Sequence, residues 1–128
     1  MQTKTLKALL IEANDLVKRL SYDESVDLIN NTQTVIIDVR EESEVYNLGI
    51  IKNAIHIPRG LIEFKLSPNS TNNPVSINNN TNILVYCAGG YRSALAAKTL
   101  LDLGFKNVYN LGGFQEWVEC GGEIQPGL

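Results

Sequence analysis

Residues 82–104 read NILVYCAGGYRSALAAKTLLDLG, and the fold follows from them. Ile83, Leu84, Val85 and Tyr86 form a short apolar run, the pattern of a strand covered on both faces. Beyond Ser93, the residues Leu95, Ala96, Thr99, Leu100 and Leu103 recur at helical spacing, and Gly104 supplies the stop. Cys87 therefore stands where a strand ends, a loop turns back and a helix begins. Gly89 and Gly90 are expected to take positive φ and turn the loop's N–H groups inward. A thiol inside such a ring, near a helix N-terminus and with Arg92 close by, should ionise easily. Taken alone, a strand-end cysteine such as Cys87 reads first as a small hydrophobe closing a core strand. The Gly-Gly turn and the arginine five positions on favour chemistry.

The bulk properties narrow the function classes. With 128 residues, the chain is expected to form one domain, 1–128, able to build a core without disulfides. Residues 1–20 hold an opening helix and first strand, and 67–82 form a long polar loop. The net charge is −3 with both signs scattered, which speaks against a nucleic-acid face or a polybasic membrane patch. No apolar run approaches bilayer length, and residues 1–10 lack the apolar core of a secretion signal. Two cysteines 33 positions apart and a single histidine make no metal framework. The expectation is a cytoplasmic protein with free thiols and no metal. The sequence carries no signal for an oligomeric state.

Outward from the central unit, Leu6, Leu9, Leu10, Ala13, Leu16 and Val17 trace an amphipathic helix expected to pack on the sheet. A brief strand follows over 17–20. Ser21 to Glu24 reads as a capping box for a short helix ending at Asn30 and Asn31. Val35, Ile36 and Ile37 make a second buried strand that delivers Asp38 and Arg40 to its carboxyl end. Glu41, Glu42 and Glu44 crowd a helix start, where the dipole favours negative charge over any metal role. A third strand over 54–57 is closed by Pro58. It contains His56, which reads as structural in preference to the base of a Cys–His pair. Arg59 reads either as part of an anion pocket or as a solvated arginine. The segment 67–82 supports no core of its own and is expected to border the pocket. Val108 to Leu111 is the last strand, Gly112 and Gly113 turn the chain, and Trp117 belongs to the core. Cys120 marks a helix end and is not expected to act as a resolving thiol. Strands and helices in alternation indicate an α/β fold with a parallel sheet covered on both faces. Ligands then bind beyond the strands' carboxyl ends.

Four landmarks in order carry a family resemblance. Cys87, four residues, then Arg92-Ser93 resembles the active-site loop of rhodanese-like sulfurtransferases. Ile37-Asp38-Val39-Arg40-Glu41 is similar to that family's D-V-R-E strand end, and residues 49–60 to its G-H-I-x-G-A-x-x-I-P segment. Leu111-Gly112-Gly113-Phe114 with Trp117 is similar to its G-G-F-x-x-W ending.

The resemblance implies a rhodanese-like fold with five parallel strands and helices on both faces. It implies sulfane-sulfur transfer through a Cys87 persulfide, from thiosulfate or a persulfide to a thiol or cyanide, without a cofactor. The N–H groups of Ala88, Gly89, Gly90, Tyr91, Arg92 and Ser93 would cradle the terminal sulfur. Arg92 would balance a leaving group's charge or shape the ring. Asp38, with Arg40, would steady the loop from behind or tie down its own turn. The implied partners are a small sulfur donor, including a protein persulfide, and a thiol acceptor. Ala88 departs from the basic residue common there, which weakens the case for thiosulfate, and Ile50 and Asn53 depart in the second landmark. Two other classes stay open: a cysteine phosphatase or arsenate reductase, whose loops resemble the longer C-x5-R, and an inert binding module.

Overall fold

The computed structural model describes residues 2–127, so Met1 and Leu128, the ends of the expected 1–128 unit, lie outside the described residues. Thr5 caps α1 (Leu6–Leu16) through its hydroxyl, which accepts from Ala8 N. After β1 (Lys18–Arg19), Ser21 and Glu24 close a reciprocal capping box on α2 (Tyr22–Asn31). Such a cap stabilises a helix start by about 1 kcal/mol. Then follow β2 (Thr34–Asp38), α3 (Glu42–Leu48), β3 (Ile50–Ile51), β4 (Ile55–His56), a 3₁₀ turn (Arg59–Leu61) and α4 (Ile62–Leu66). The central unit is β5 (Asn82–Cys87) and α5 (Tyr91–Asp102), followed by β6 (Val108–Gly113), α6 (Phe114–Glu119) and β7 (Ile124–Gln125).

Five strands pair in parallel in the order β1-β6-β5-β2-β4, with β5 in the middle. Alternation along β5 divides the core. Ile83, Val85 and Cys87 join Ile37, Ile57, Ile62, Leu66 and Leu100 on the face covered by α4 and α5. Leu84 and Tyr86 join Val45, Ile51, Phe114 and Trp117 on the other face. The carboxyl ends of β2 and β5 meet at the same edge, Asp38 opposite Tyr86.

Three expectations are corrected. The apolar stripe of α1 packs chiefly against α5, touching the sheet at its β1 edge. Ala13 and Val17 are buried, while Leu6 and Leu16 are each 62% exposed. The segment preceding β5 does not border the site. It returns the chain to the amino end of the sheet, where Asn78 bonds Gln33 and Asn79 accepts from Asn107. It builds no core of its own, and its Val75 and Ile77 pack on the main cluster. Finally, Gly112 and Gly113 continue β6 as strand, Gly112 at φ 110 beside a register shift at Val85/Tyr86. A further pairing had no counterpart in the sequence reading: β3 and β7 form a two-stranded antiparallel sheet.

Candidate active site

Cys87 is the last residue of β5, and Gly90 is the N-cap of α5, so three residues turn the chain through the loop. Gly90 takes φ 95, a left-handed conformation that a side chain would strain. Gly89, paired with it in the sequence reading, is not at positive φ, so Gly90 alone makes the turn. The turn points N–H groups at sulfur. Gly90 N donates to Cys87 Sγ at 3.0 Å and Ser93 N at 3.4 Å, with Ser93 Oγ also 3.4 Å away. The thiol titrates below its ordinary value. Burial is the largest single influence and pushes it up. The Ser93 hydroxyl and the N–H groups of Ser93, Gly90 and Gly89 together outweigh burial.

The loop is held from β6. Asn110, buried inside an otherwise apolar strand, accepts from Ser93 Oγ at 2.8 Å and from Gly112 N at 3.0 Å. Its amide nitrogen donates to Gly90 O at 3.0 Å. Ser93 has one hydroxyl proton, so while it donates to Asn110 it can only accept from the neutral thiol. Toward a thiolate the proton can turn to sulfur, and Asn110 Oδ1 keeps the Gly112 N–H.

Arg92 does not contact the loop's carbonyls. It forms a bidentate ion pair with Glu44 of α3, at 2.6 and 3.0 Å. This pairing is the main reason Glu44 titrates at about 2 against an ordinary 4.5, with burial opposing it. Glu44 therefore contributes stability that is complete above about pH 4.5 and lost as pH falls toward about 2. The guanidinium of Arg19, from β1, lies against Gly90 and Gly112. A Cβ on Gly90 would stand 2.9 Å from its Nη1, and one on Gly112 would collide with its guanidinium.

The other residues singled out by sequence take distinct places. Ala88, Gly89 and Tyr91 are exposed on the loop, while Gly90 and Ser93 are buried in its wall. Asp38 and Arg40 do not touch the loop: both are fully buried and pair with each other at 2.7 Å. Asp38 also receives Arg40 N, so it ties down its own turn. His56 Nε2 meets Arg40 O at 2.7 Å, on the same corner. Arg59 is bonded to Glu63 and to Thr99 of α5. Cys120, at the end of α6, is exposed, and both thiols are free. Glu44, Asn110 and Arg19 enter the site without having been read as parts of it. Among the described residues no cluster of three or more metal-ligating side chains occurs, and no helix is long and apolar enough to cross a membrane.

A family model described as a rhodanese-like domain matches residues 21–120. The thiosulfate sulfurtransferase of Coxiella burnetii is 33% identical over 103 residues, 80% of this chain and 88% of that protein. A tRNA uridine(34) hydroxylase of Prochlorococcus marinus is 33% identical over 114 residues, 84% of this chain, but the match spans only 36% of its length. A solved structure from Rhodopseudomonas palustris is described as a protein of unknown function and possible tyrosine phosphatase. It superposes with a TM-score of 0.86 at 36% identity, covering 98% of this chain and 97% of that one. The polysulfide-sulfur transferase homodimer of Wolinella succinogenes gives 0.73 at 32% identity, covering 93% and 85%.

Proposed function

We propose that this chain, which belongs to the rhodanese-like domain family, is a sulfurtransferase that carries a sulfane sulfur on Cys87. The observation behind this reading is the convergence of the loop's donors on Sγ, with Gly90 N at 3.0 Å. In the first half-reaction the Cys87 thiolate attacks the outer sulfur of a donor R–S–SH. The donor's S–S bond breaks, R–S⁻ leaves with the electron pair, and Cys87–S–SH remains. With thiosulfate the leaving group is sulfite and the product is the persulfide anion. The inward N–H groups of the loop stabilise the terminal sulfur's charge. An acceptor thiolate or cyanide then takes that sulfur and restores the Cys87 thiolate. Thiolate formation replaces a separate base, and His56, bonded to Arg40 O, has no part in the cycle.

The charges favour a persulfide donor over thiosulfate. Ala88 is neutral, and Arg92 is matched by Glu44, so a dianion gains little at the loop. The same pairing argues against a phosphatase, whose arginine must hold the oxygens of the substrate. The names of the sulfurtransferase relatives from Coxiella burnetii and Wolinella succinogenes support the reaction class. That of the hydroxylase concerns a protein of which this match is about a third.

The test is to incubate the protein with glutathione persulfide or thiosulfate, measure its intact mass, and follow thiocyanate release on adding cyanide. A single-sulfur adduct and turnover are expected. Both should vanish in Cys87→Ser, while Cys120→Ser keeps most activity. Phosphate release outpacing thiocyanate formation would replace this reading with the phosphatase. No adduct and no turnover with either donor would leave a binding module.

A further inference from the structure

A cleft of about 380 Å³ opens beside the Cys87 loop. Asn14 of α1, Lys18 and Arg19 of β1 and Asn110 line it, with Gly90 and Tyr91 as its loop wall. That volume lies within the range of small-molecule sites. The same Gly90 donates its N–H to Sγ, so the cleft and the sulfur share one wall. In persulfide exchange the body of the entering thiol and that of the leaving thiol approach the same sulfur. Whatever surface flanks the ring selects both.

Three cations surround this wall, and they differ in availability. Arg92 is engaged by two contacts to a carboxylate that is 28% exposed. Arg19 meets Glu116 through Nη2 alone, at 2.7 Å, and that carboxylate is 66% exposed. Lys18 is paired with Glu24 at 2.8 Å, and both side chains are largely in water. Exposed single-contact pairs contribute little stability, so exchanging Glu116 for a ligand carboxylate costs little, whereas breaking the bidentate pair costs more. Arg19 is also placed in advance. The missing side chains of Gly90 and Gly112 leave a seat in which its guanidinium rests against backbone. It is 44% exposed and still held against the loop.

Resting on the sulfurtransferase reading, we propose that this cleft binds the carboxylate-bearing body of a small anionic thiol, with Arg19 as the specificity-determining cation and Lys18 in support. The thiol's sulfur then lies at the ring's mouth, where it accepts the sulfur from Cys87 or leaves after delivering one. Tyr91, 69% exposed, offers an aromatic face to the apolar part of the same molecule. This assigns charge recognition to β1, outside the loop, where Ala88 supplies none.

The experiment loads Cys87 with sulfur and measures transfer to 3-mercaptopropionate, 2-mercaptoethanol and cysteamine, which are anionic, neutral and cationic. Wild type should prefer the anionic thiol after correction for thiol pKa, and added salt should weaken the preference. Arg19→Gln should lower kcat/KM for the anionic thiol about fivefold more than for the neutral one, mostly through KM. Arg19→Lys should recover part of the loss. Glu116→Gln should strengthen the preference by releasing Arg19, a gain that a purely structural arginine would not produce. An equal loss for all three thiols in Arg19→Gln would make the residue a prop of the loop and overturn the proposal. Unchanged selectivity in both variants would overturn it too, with the sulfurtransferase reading intact. Wild type inert toward every thiol would remove that reading and this proposal together.

Discussion

The carboxyl ends of β2 and β5 lie side by side, and each gathers hydrogen-bond donors around one acidic group, to opposite effect. At β2, Asp38 receives Arg40 N at 2.9 Å, Nε at 3.1 Å and Nη2 at 2.7 Å, so its donors come from one residue two positions on. Arg40 also donates to Gly49 O and stacks over Phe114, its guanidinium carbon 4.2 Å from the ring centroid. The pair is sealed, with Arg40 Nη1 the buried side-chain donor among the described residues that lacks a partner. At β5 the acid is a thiol, its donors are backbone N–H groups and the Ser93 hydroxyl, and the loop carrying them is exposed at Ala88 and Gly89. One corner consumes its polarity in holding the chain. The other aims its polarity at the Cys87 sulfur.

Asp38→Asn should produce the largest effect that separates the two corners. Removing one partner of a buried ion pair leaves the other charge uncompensated, at a cost of about 3–5 kcal/mol. That is a large share of a small domain's stability of about 5–15 kcal/mol. Urea unfolding should show a lower midpoint with an unchanged slope. Sulfur transfer per folded molecule should stay near wild type, because Asp38 does not touch the Cys87 loop. A stable variant with impaired turnover would invert the comparison and make β2 part of the catalytic apparatus.

Ser93→Ala should do the reverse and act on chemistry. The Ser93 hydroxyl is the strongest of the influences holding the Cys87 thiol below its ordinary value, against burial. Without it the thiol should titrate higher. The iodoacetamide rate at Cys87 should then rise with pH later than in wild type, and the pH at which sulfur loading levels off should move up with it. The linked stability has the same sign. A depressed folded value stabilises the protein above the unfolded thiol's titration and loses that contribution as pH falls through the folded one, so the variant forfeits stability mainly at alkaline pH. Asn110 Oδ1 retains the Gly112 N–H, which limits the structural loss near neutrality. An unmoved alkylation profile would mean that the backbone donors alone set the thiol.

What was legible in the sequence was what is contiguous. The Cys87 loop could be read because its strand, its turn and its helix each have a local pattern. The capping box at Ser21 could be read for the same reason. β1 and β4 are two residues each, too short for any period, so the count of five strands came from resemblance. The β3–β7 pair joins residues far apart in the chain, and no local rule announces it. Glu44 and Arg19 reach the site from other elements; the helix-start reading already accounted for Glu44, and Arg19 fell in a brief strand that singled out no side chain. Asn110 did leave a signal: a polar side chain within a buried strand must find partners. The misplaced 67–82 segment also had one. A connection entering a parallel strand arrives at its amino end, away from ligands bound at the carboxyl ends.

The smallest expected effect concerns the exposed rim of the β5 corner. Ala88 is on the surface of the loop, and its neighbour in charge, Arg92, is already matched by Glu44. Thiosulfate brings two negative charges to that rim and departs as sulfite, so an unpaired cation there should help it. Ala88→Arg adds one without disturbing the donors to Sγ, which come from Gly90 and Ser93. A partly exposed charge contact contributes about 1 kcal/mol, or about fivefold in affinity. The KM for thiosulfate should therefore fall several-fold. Turnover of a neutral alkyl persulfide should hardly change, since its transferred sulfur meets the same N–H groups. Steady-state kinetics with both donors on one preparation decides it. Equal gains on both would mean that the new arginine alters the thiol itself. No gain on either would mean that the side chain at 88 points away from the leaving group, and that donor charge is sensed on the β1 side of the loop, where Arg19 is seated.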